Sequence, residues 1–440
     1  MSDASDGGER GPSGVVLFTL EFPFERGEGF LELELAEVAK RFDRVIIVPV
    51  RHRPGKTVTR RVPEGVRIVV ADHPAPSEAK LVLRHMLRHP ISAAGSLVRA
   101  LRAGPRPALI VADLKFDLLA AATARQIERL LAREVEGLAD IVFYGYWLDT
   151  PTRTAIEART RLRRRDAPIV SRTHGFDLYA DRRRHGHLPQ RDLLVTSVDR
   201  VFSASRDGER YLRERHPDMG DRVTTAHLGT TAGIAAGNPT QDDHHLVSCS
   251  MVVPLKRLPM LIDDLAAVQE RGVAVMWTHL GPGDPDYTRQ VEGYARERLA
   301  PGSFAFLGRV PNAEVRRWYA ENRASAFVSV SETEGGVPVS IMEALAQGLP
   351  VIATDVGVMS ELRGAAPGIF DGLIPADHTP AVFADRVEML FAADPDTYAG
   401  YVEASLAAWR QRWSSSVNYA AFADALLGLA RGGTSRSGPV

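Results

Sequence analysis

The sequence predicts an α/β protein built from two domains, each a parallel sheet wrapped by helices, and three observations support this. The chain is 440 residues long, more than one ordinary core accommodates and suited to two domains of roughly 200 residues each. Short apolar runs alternate with amphipathic stretches throughout, the pattern of parallel strands covered by helices on both faces. Residues 229–243 break that alternation with glycine, threonine, asparagine, proline and two aspartates, the composition of a linker.

In the first half, strands are expected at Val15–Leu20, Arg44–Val50, Val66–Val70, Ile141–Phe143 and Ile169–Arg172. In the second they are expected at Leu246–Ser250, Val273–Thr278, Phe304–Leu307, Ala326–Val330 and Val351–Ala353. The polar start, residues 1–14, is expected to be disordered, with domains at 15–228 and 244–401 on either side of the linker. Residues 402–430 read as a helix carrying Trp409 and Trp413, and 431–440 as a loose tail. The single cysteine, Cys249, excludes an internal disulfide and falls in a strand, where a core thiol is expected. No run of about 18 apolar residues occurs, and the start lacks the charged-then-apolar pattern of a signal peptide, so a cytoplasmic chain without a membrane span is expected.

Charge is close to balanced overall but divided between the halves: 38 basic against 31 acidic residues in 1–240, and 16 against 24 in 241–440. The balance argues against general nucleic-acid binding, while a basic first domain suits an anionic acceptor or peripheral contact with the inner membrane face. Arg159, Arg161, Arg163, Arg164 and Arg165 fall on one predicted helix, and Arg182–Arg184 follow a histidine loop. Such a run is either a solvated face or a contact for an acceptor or lipid headgroup. No phosphate-loop, nucleophile-elbow or cysteine–histidine zinc spacing occurs. Asp284 and Asp286 resemble a metal-binding pair but lie in a glycine- and proline-rich turn and read as turn residues.

The most informative stretch is residues 331–355, SETEGGVPVSIMEALAQGLPVIATD. A strand before it, a short helix stopped by Gly348 and a strand at Pro350–Thr354 place its loop at the carboxyl edge of a parallel sheet, where ligands bind. Gly335 and Gly336 let backbone approach a ligand closely, the helix start offers unpaired amides to a diphosphate, and Val337, Pro338 and Val339 at that turn join the donor-binding candidates. This segment resembles the donor-binding signature of family 4 retaining glycosyltransferases. Leu246–Arg257, Trp277–Pro282, Phe306–Asn312 and Val356–Leu362 are similar to other donor-side segments of that family, in order. Thr19–Glu34, Tyr144–Asp149 and Thr173–Tyr179 look like one bacterial branch of it.

The resemblance implies two Rossmann-like domains facing a cleft, the GT-B fold, which uses lysine and helix dipoles in place of a metal, so no metal and no cofactor are expected. It also implies transfer of a hexose or N-acetylhexosamine from a nucleoside-diphosphate sugar, by default a uridine diphosphate sugar, to a hydroxyl of a glycan, lipid-linked sugar or natural product. A sugar-nucleotide-binding regulatory or scaffold protein without turnover is the alternative. Lys256, one of only five lysines, aligns with the family's diphosphate-binding lysine, and an ammonium is a compact point charge suited to that contact. The family's arginine five residues earlier is Met251 here, which leaves Arg257 or Arg309 as substitutes. Glu343 aligns with the ribose-binding carboxylate, although Ser340-x-x-Glu343 also reads as a capping box. Glu334 and Glu343 are separated by eight residues where the family has seven. Either Glu334 meets the donor sugar, or Glu332 or backbone amides do. Base contacts are expected near Gly308, Arg309 and Val310. In the first domain, His174 aligns with the family's histidine near the donor sugar, though histidines in such loops are often structural. Asp177, Tyr146, Phe24 and Gly27 are acceptor-side candidates.

Overall fold

A computed structural model describes residues 11–24, 27–51, 55–70, 78–101, 106–234 and 239–432. The chain forms two compact units, one of residues 1–226 with 419–440 and the other of residues 227–418. The strands of the first unit are β1 (Ser13–Thr19), β2 (Arg44–Pro49), β3 (Arg67–Ile68), β4 (Asp140–Gly145), β5 (Ile169–Thr173), β6 (Arg200–Ser203) and β7 (Val223–Thr225). Its helices before the second unit are α1 (Leu31–Ala39), α2 (Glu78–Arg88), α3 (Pro90–Ala100), α4 (Pro107–Glu134), α5 (Thr150–Arg161), α6 (Arg191–Ser197) and α7 (Arg206–Arg215). The second unit holds β8 (His245–Cys249), α8 (Leu258–Glu270), β9 (Met276–Leu280), α9 (Pro285–Arg298), β10 (Phe304–Phe306), α10 (Asn312–Glu321) and β11 (Ala326–Ser329). It continues through α11 (Val339–Ala346), β12 (Val351–Thr354), β13 (Leu373–Ile374), α12 (Pro380–Phe391) and α13 (Pro395–Arg412), and α14 (Ser415–Ala430) follows.

The first sheet has the strand order β3-β2-β1-β4-β5-β6-β7 and the second β10-β9-β8-β11-β12-β13; the pairings are parallel. Strand order reverses at β1/β4 in the first sheet and at β8/β11 in the second, so the crevices where such sheets bind ligands open at the carboxyl ends of those strands. Central strands read as continuous apolar runs because both faces are covered. Val15, Val16, Leu17 and Phe18 of β1 are all buried, each contributing on the order of 1.5–3 kcal/mol of burial before entropy is counted.

Four expectations are corrected. Strand β1 begins at Ser13, so residues 13–14 are ordered, while residues 1–10, 433–440 and 235–238 of the start, tail and linker lie outside the described residues. The helix expected over 402–430 is two helices, α13 and α14, parted at Trp413–Ser414, where Trp413 is fully buried. Strand β9 begins at Met276, later than expected. The arginine run is not one helical face. Helix α5 ends at Arg161, Arg159 donates to the Ala167 carbonyl, Arg161 pairs with Glu128, and Arg164 donates to the carbonyls of Leu138 and Val135. Nor do Arg182 and Arg183 stand free: Arg182 lies over the Tyr179 ring and Arg183 pairs with Asp149 at 2.7 Å. No helix among the described residues is long and apolar enough to cross a membrane.

Candidate active site

In the second unit the β8–α8 loop and the β11–α11 loop meet at the switch point. A single 3₁₀ turn, Pro254–Lys256, ends at Arg257, whose backbone has φ 46°. The Arg257 guanidinium donates to the carbonyls of Val330 (2.7 Å), Ala376 (2.9 Å) and Ser331 (3.1 Å), and the Glu332 amide donates to the Leu255 carbonyl at 2.9 Å. Arg257 therefore ties the two loops together, a different task from the anion contact expected of it. The brace presents Lys256, whose Nζ lies 2.5 Å from Glu334 Oε1, both side chains being mostly buried. Glu332 is exposed. Glu334 is held from behind by Gly357: with φ 56°, its missing Cβ would lie 2.2 Å from the Glu334 carbonyl oxygen, a place only glycine fits.

Gly335 and Gly336 run from Glu334 to α11. Val337 is buried, Pro338 is the N-cap residue, and no side chain caps the helix, so its first amides keep the donor capacity that suits an anion. Ser340 lies within the helix, not at its cap, and the capping box does not form. Glu343, one turn along, instead neighbours Cys249, Tyr319 and Arg316. Burial pushes its carboxyl up to about 7, with Arg316 opposing, and burial together with Glu343 pushes the Cys249 thiol up to about 12. Cys249 is half-buried, packed against the core of the second unit beside that carboxyl. The neighbouring loops are joined backbone to backbone. The Gly281 amide donates to the Gly308 carbonyl at 2.8 Å, and a Cβ on Gly281 would meet the Ser250 carbonyl. Arg309 and Met251 are exposed and Val310 half-buried. Asp284 caps α9, accepting from the amides of Asp286 and Tyr287, and Asp286 pairs with Arg289.

In the first unit the loops after β1, β4 and β5 converge. The Glu28 carboxylate accepts from the amides of Leu20, Glu21 and Phe22 and from Trp147 Nε1 at 2.6 Å. This clamp shapes the loop that carries Phe24, half-buried, and Gly27, exposed. The clamp residue, which sits at φ 55°, was not among the sequence candidates. The clamp sets Trp147 beside His174, with ring centroids 4.4 Å apart, and Tyr146 and Phe30 complete an aromatic box at 4.9 and 5.8 Å from the histidine ring. His174 is only 8% exposed, and both of its ring nitrogens are buried without a hydrogen-bond partner, as is the Tyr146 hydroxyl. Burial, helped by the Arg172 charge, keeps the imidazole well below its usual pKa and so neutral. Asp177 is wholly buried and accepts from the amides of His174 (2.7 Å) and Leu148 (2.8 Å). Burial, opposed by those amides and by Arg191, raises it to about 6. It locks the His174 loop, so the acceptor role expected of it is replaced by a positioning one. Beneath the box, buried Arg172 pairs with Glu34 at 2.6 Å, and Tyr144 donates to the same carboxylate.

Among the described residues, no group of three or more histidine, cysteine or acidic side chains is placed to hold a metal. Residues 243–393 match the family model for glycosyl transferases group 1. The amylovoran biosynthesis glycosyltransferase AmsK of Erwinia amylovora is 26% identical over 124 residues, a stretch covering 27% of this chain and 29% of that protein. The match thus spans less than a third of that relative's length. Among solved structures, Anabaena HepE in complex with UDP and glucose is similar with a TM-score of 0.63 at 15% identity, covering 94% of this chain and 98% of that one. The sucrose-phosphate synthase of Thermosynechococcus elongatus has a TM-score of 0.67 at 14% identity, covering 96% and 100%. The chain has the GT-B fold, and the family match over its second unit supports a GT-B glycosyltransferase.

Proposed function

We propose that the chain is a retaining glycosyltransferase that moves a hexose or N-acetylhexosamine from a nucleoside-diphosphate sugar to an acceptor hydroxyl, without a metal. The observation that carries this reading is the Lys256–Glu334 pair beside the uncapped start of α11, with Glu343 one turn along. In the proposed complex, the diphosphate lies against Lys256 and the α11 amides, and Glu343 accepts from both ribose hydroxyls. Glu334, released from Lys256 by the incoming anion, turns to the donor sugar. As the bond to the anomeric carbon breaks, the diphosphate gains negative charge. One fixed cationic donor in a dry site lowers that barrier by about 3–4 kcal/mol, on the order of 10²–10³ in rate. Retention follows from attack on the face from which the diphosphate leaves, the leaving phosphate taking the acceptor proton. The neutral His174, whose ring nitrogens have no partner in the first unit, is the proposed contact for a sugar hydroxyl there, and Tyr146 lies beside it.

The donor base is proposed as uracil because several similar structures are of complexes with UDP or UDP-glucose. Polysaccharide assembly as the setting rests on the AmsK likeness. The test is a panel of nucleoside-diphosphate sugars, read by thermal shift and by release of nucleoside diphosphate. A donor that both stabilises the protein and is turned over supports the proposal. Stabilisation with no release under any acceptor condition favours a binding protein instead, and neither effect with any donor sinks both.

A further inference from the structure

Helices α2 and α3 are amphipathic the wrong way round. On α3 the residues turned inward are Ser96 and Ala100, and Arg99 reaches Asp117 of α4. On α2 the buried residue is His85, which bonds Ser92. The large apolar side chains face solvent: Leu83 and Leu87 on α2, Ile91 and Val98 on α3, Leu101 at its end and Val111 at the start of α4. Ile91 is 89% exposed and Leu87 75%. Half of the exposed large apolar side chains among the described residues fall between positions 83 and 111. Positions 83 and 87, and 91 and 98, recur at helical spacing, so each helix presents one apolar stripe.

The stripe is bordered by positive charge. Residues 78–106 contain six arginines and lysines and a single carboxylate, Glu78. Exposed Arg84 and Arg88 sit one residue on from Leu83 and Leu87. Between α2 and α4 they line, with Arg125 and Arg129, a groove of about 590 Å³. On its floor, Arg125 Nε and Gln126 Nε2 are buried donors with no partner. A second copy of this chain placed on the same face would set these cations against themselves, whereas a bilayer rich in anionic phosphate headgroups meets both the charge and the apolar stripe.

We propose that α2, α3 and the start of α4 form a membrane-docking face, with the apolar stripe in the headgroup–acyl boundary and the arginine groove on lipid phosphate. This does not rest on glycosyl transfer. The test is co-sedimentation of the full chain with vesicles of phosphatidylcholine alone and with one third phosphatidylglycerol. Binding is expected only to the anionic vesicles and should weaken with salt. Ile91→Asp with Leu87→Asp should abolish it, and Arg84→Gln with Arg88→Gln should weaken it about fivefold for each cation removed. Unchanged circular dichroism and melting of the variants separate this from misfolding. An Ile91→Trp reporter should shift its emission to the blue on anionic vesicles and not with inorganic phosphate alone. Three results would each overturn the proposal: no binding to anionic vesicles, equal binding to neutral ones, or a concentration-dependent dimer that the aspartate variants convert to monomer.

Discussion

At the scale of single residues, the proposed donor-side chemistry rests on one ion pair and one buried carboxyl. Lys256→Ala removes the cation at the proposed leaving group without touching the core, and turnover is expected to fall about 10²-fold or more with the melting temperature little changed. Lys256→Arg should rescue in part, because a guanidinium matches a fork and not a point contact. Steady-state kinetics beside a melting curve decide it, and normal turnover in the alanine variant rejects the assignment. Glu334→Gln should cost turnover but leave nucleoside diphosphate binding intact, whereas Glu332→Gln, at an exposed position, should be silent. The opposite result would move the sugar contact to Glu332. Asp284 is the cap of α9, so turnover should also survive excess chelator; loss restored by magnesium or manganese would reverse that reading.

Glu343 gives a prediction with a pH sign. Its carboxyl is raised from 4.5 to about 7, so between those values the folded protein holds a proton that the unfolded chain has lost. Stability contributed by this group therefore falls as pH rises through that window and is lowest above about 7, a cost of order 3 kcal/mol at 1.36 kcal/mol per unit. Glu343→Gln should raise the melting temperature at pH 8 but not at pH 4, while weakening nucleoside diphosphate binding. Binding by the unaltered protein should strengthen as pH rises through about 7, because the ionised carboxylate is the proposed acceptor for ribose. A variant no more stable than the parent at pH 8, with unchanged affinity, would remove Glu343 from the site.

At the scale of elements, what the sequence made legible was whatever burial on both faces forces into a continuous apolar run. Strands β1, β2, β4, β5, β8 and β11 were readable for that reason, whereas β7 has three residues and β13 has two. The site loops were readable as locations because they follow those strands, and Lys256, Glu334 and Glu343 came out together in one unit. Their supports were not. Arg257 reads as a cation for a ligand until its three carbonyl partners are seen, Asp177 as an acceptor contact until its two amides are, and Glu28 is not among the candidates at all. Each is defined by backbone groups, which carry no side-chain signature whether they lie three residues away, as His174 does from Asp177, or 119 away, as Ala376 does from Arg257. Glu28→Ala should leave the Trp147 indole and three amides without an acceptor, lowering stability by about 3 kcal/mol in denaturant titrations and lowering turnover through a displaced Trp147–His174 pair. Gly357→Ala is the matching test in the second unit. It should reproduce the kinetic defect of Glu334→Gln through the backbone alone, and wild-type turnover would show that Glu334 is not held by that contact.

At the scale of the whole molecule, the chain is not two beads in sequence order. Residues 419–440 belong with residues 1–226, and α14 lays Phe422 between the rings of Tyr144 and Phe202, with the Arg172 guanidinium 4.7 Å from its centre. Helix α14 thus completes the core over the buried Arg172–Glu34 pair, while the residues proposed to hold the nucleotide lie between positions 227 and 418. That division predicts separable losses. Phe422→Ala should destabilise the first unit by about 3–5 kcal/mol, leaving the affinity for nucleoside diphosphate near that of the parent at temperatures where the protein stays folded. Saturating nucleotide adds stability only to what binds it, about 2.7 kcal/mol at a hundredfold excess over Kd. The ligand should therefore delay unfolding of the second unit more than that of the first, a difference hydrogen exchange resolves peptide by peptide. If Phe422→Ala instead abolishes nucleotide binding in protein that remains folded, the second unit does not hold the nucleotide by itself, and the division of roles between the units falls.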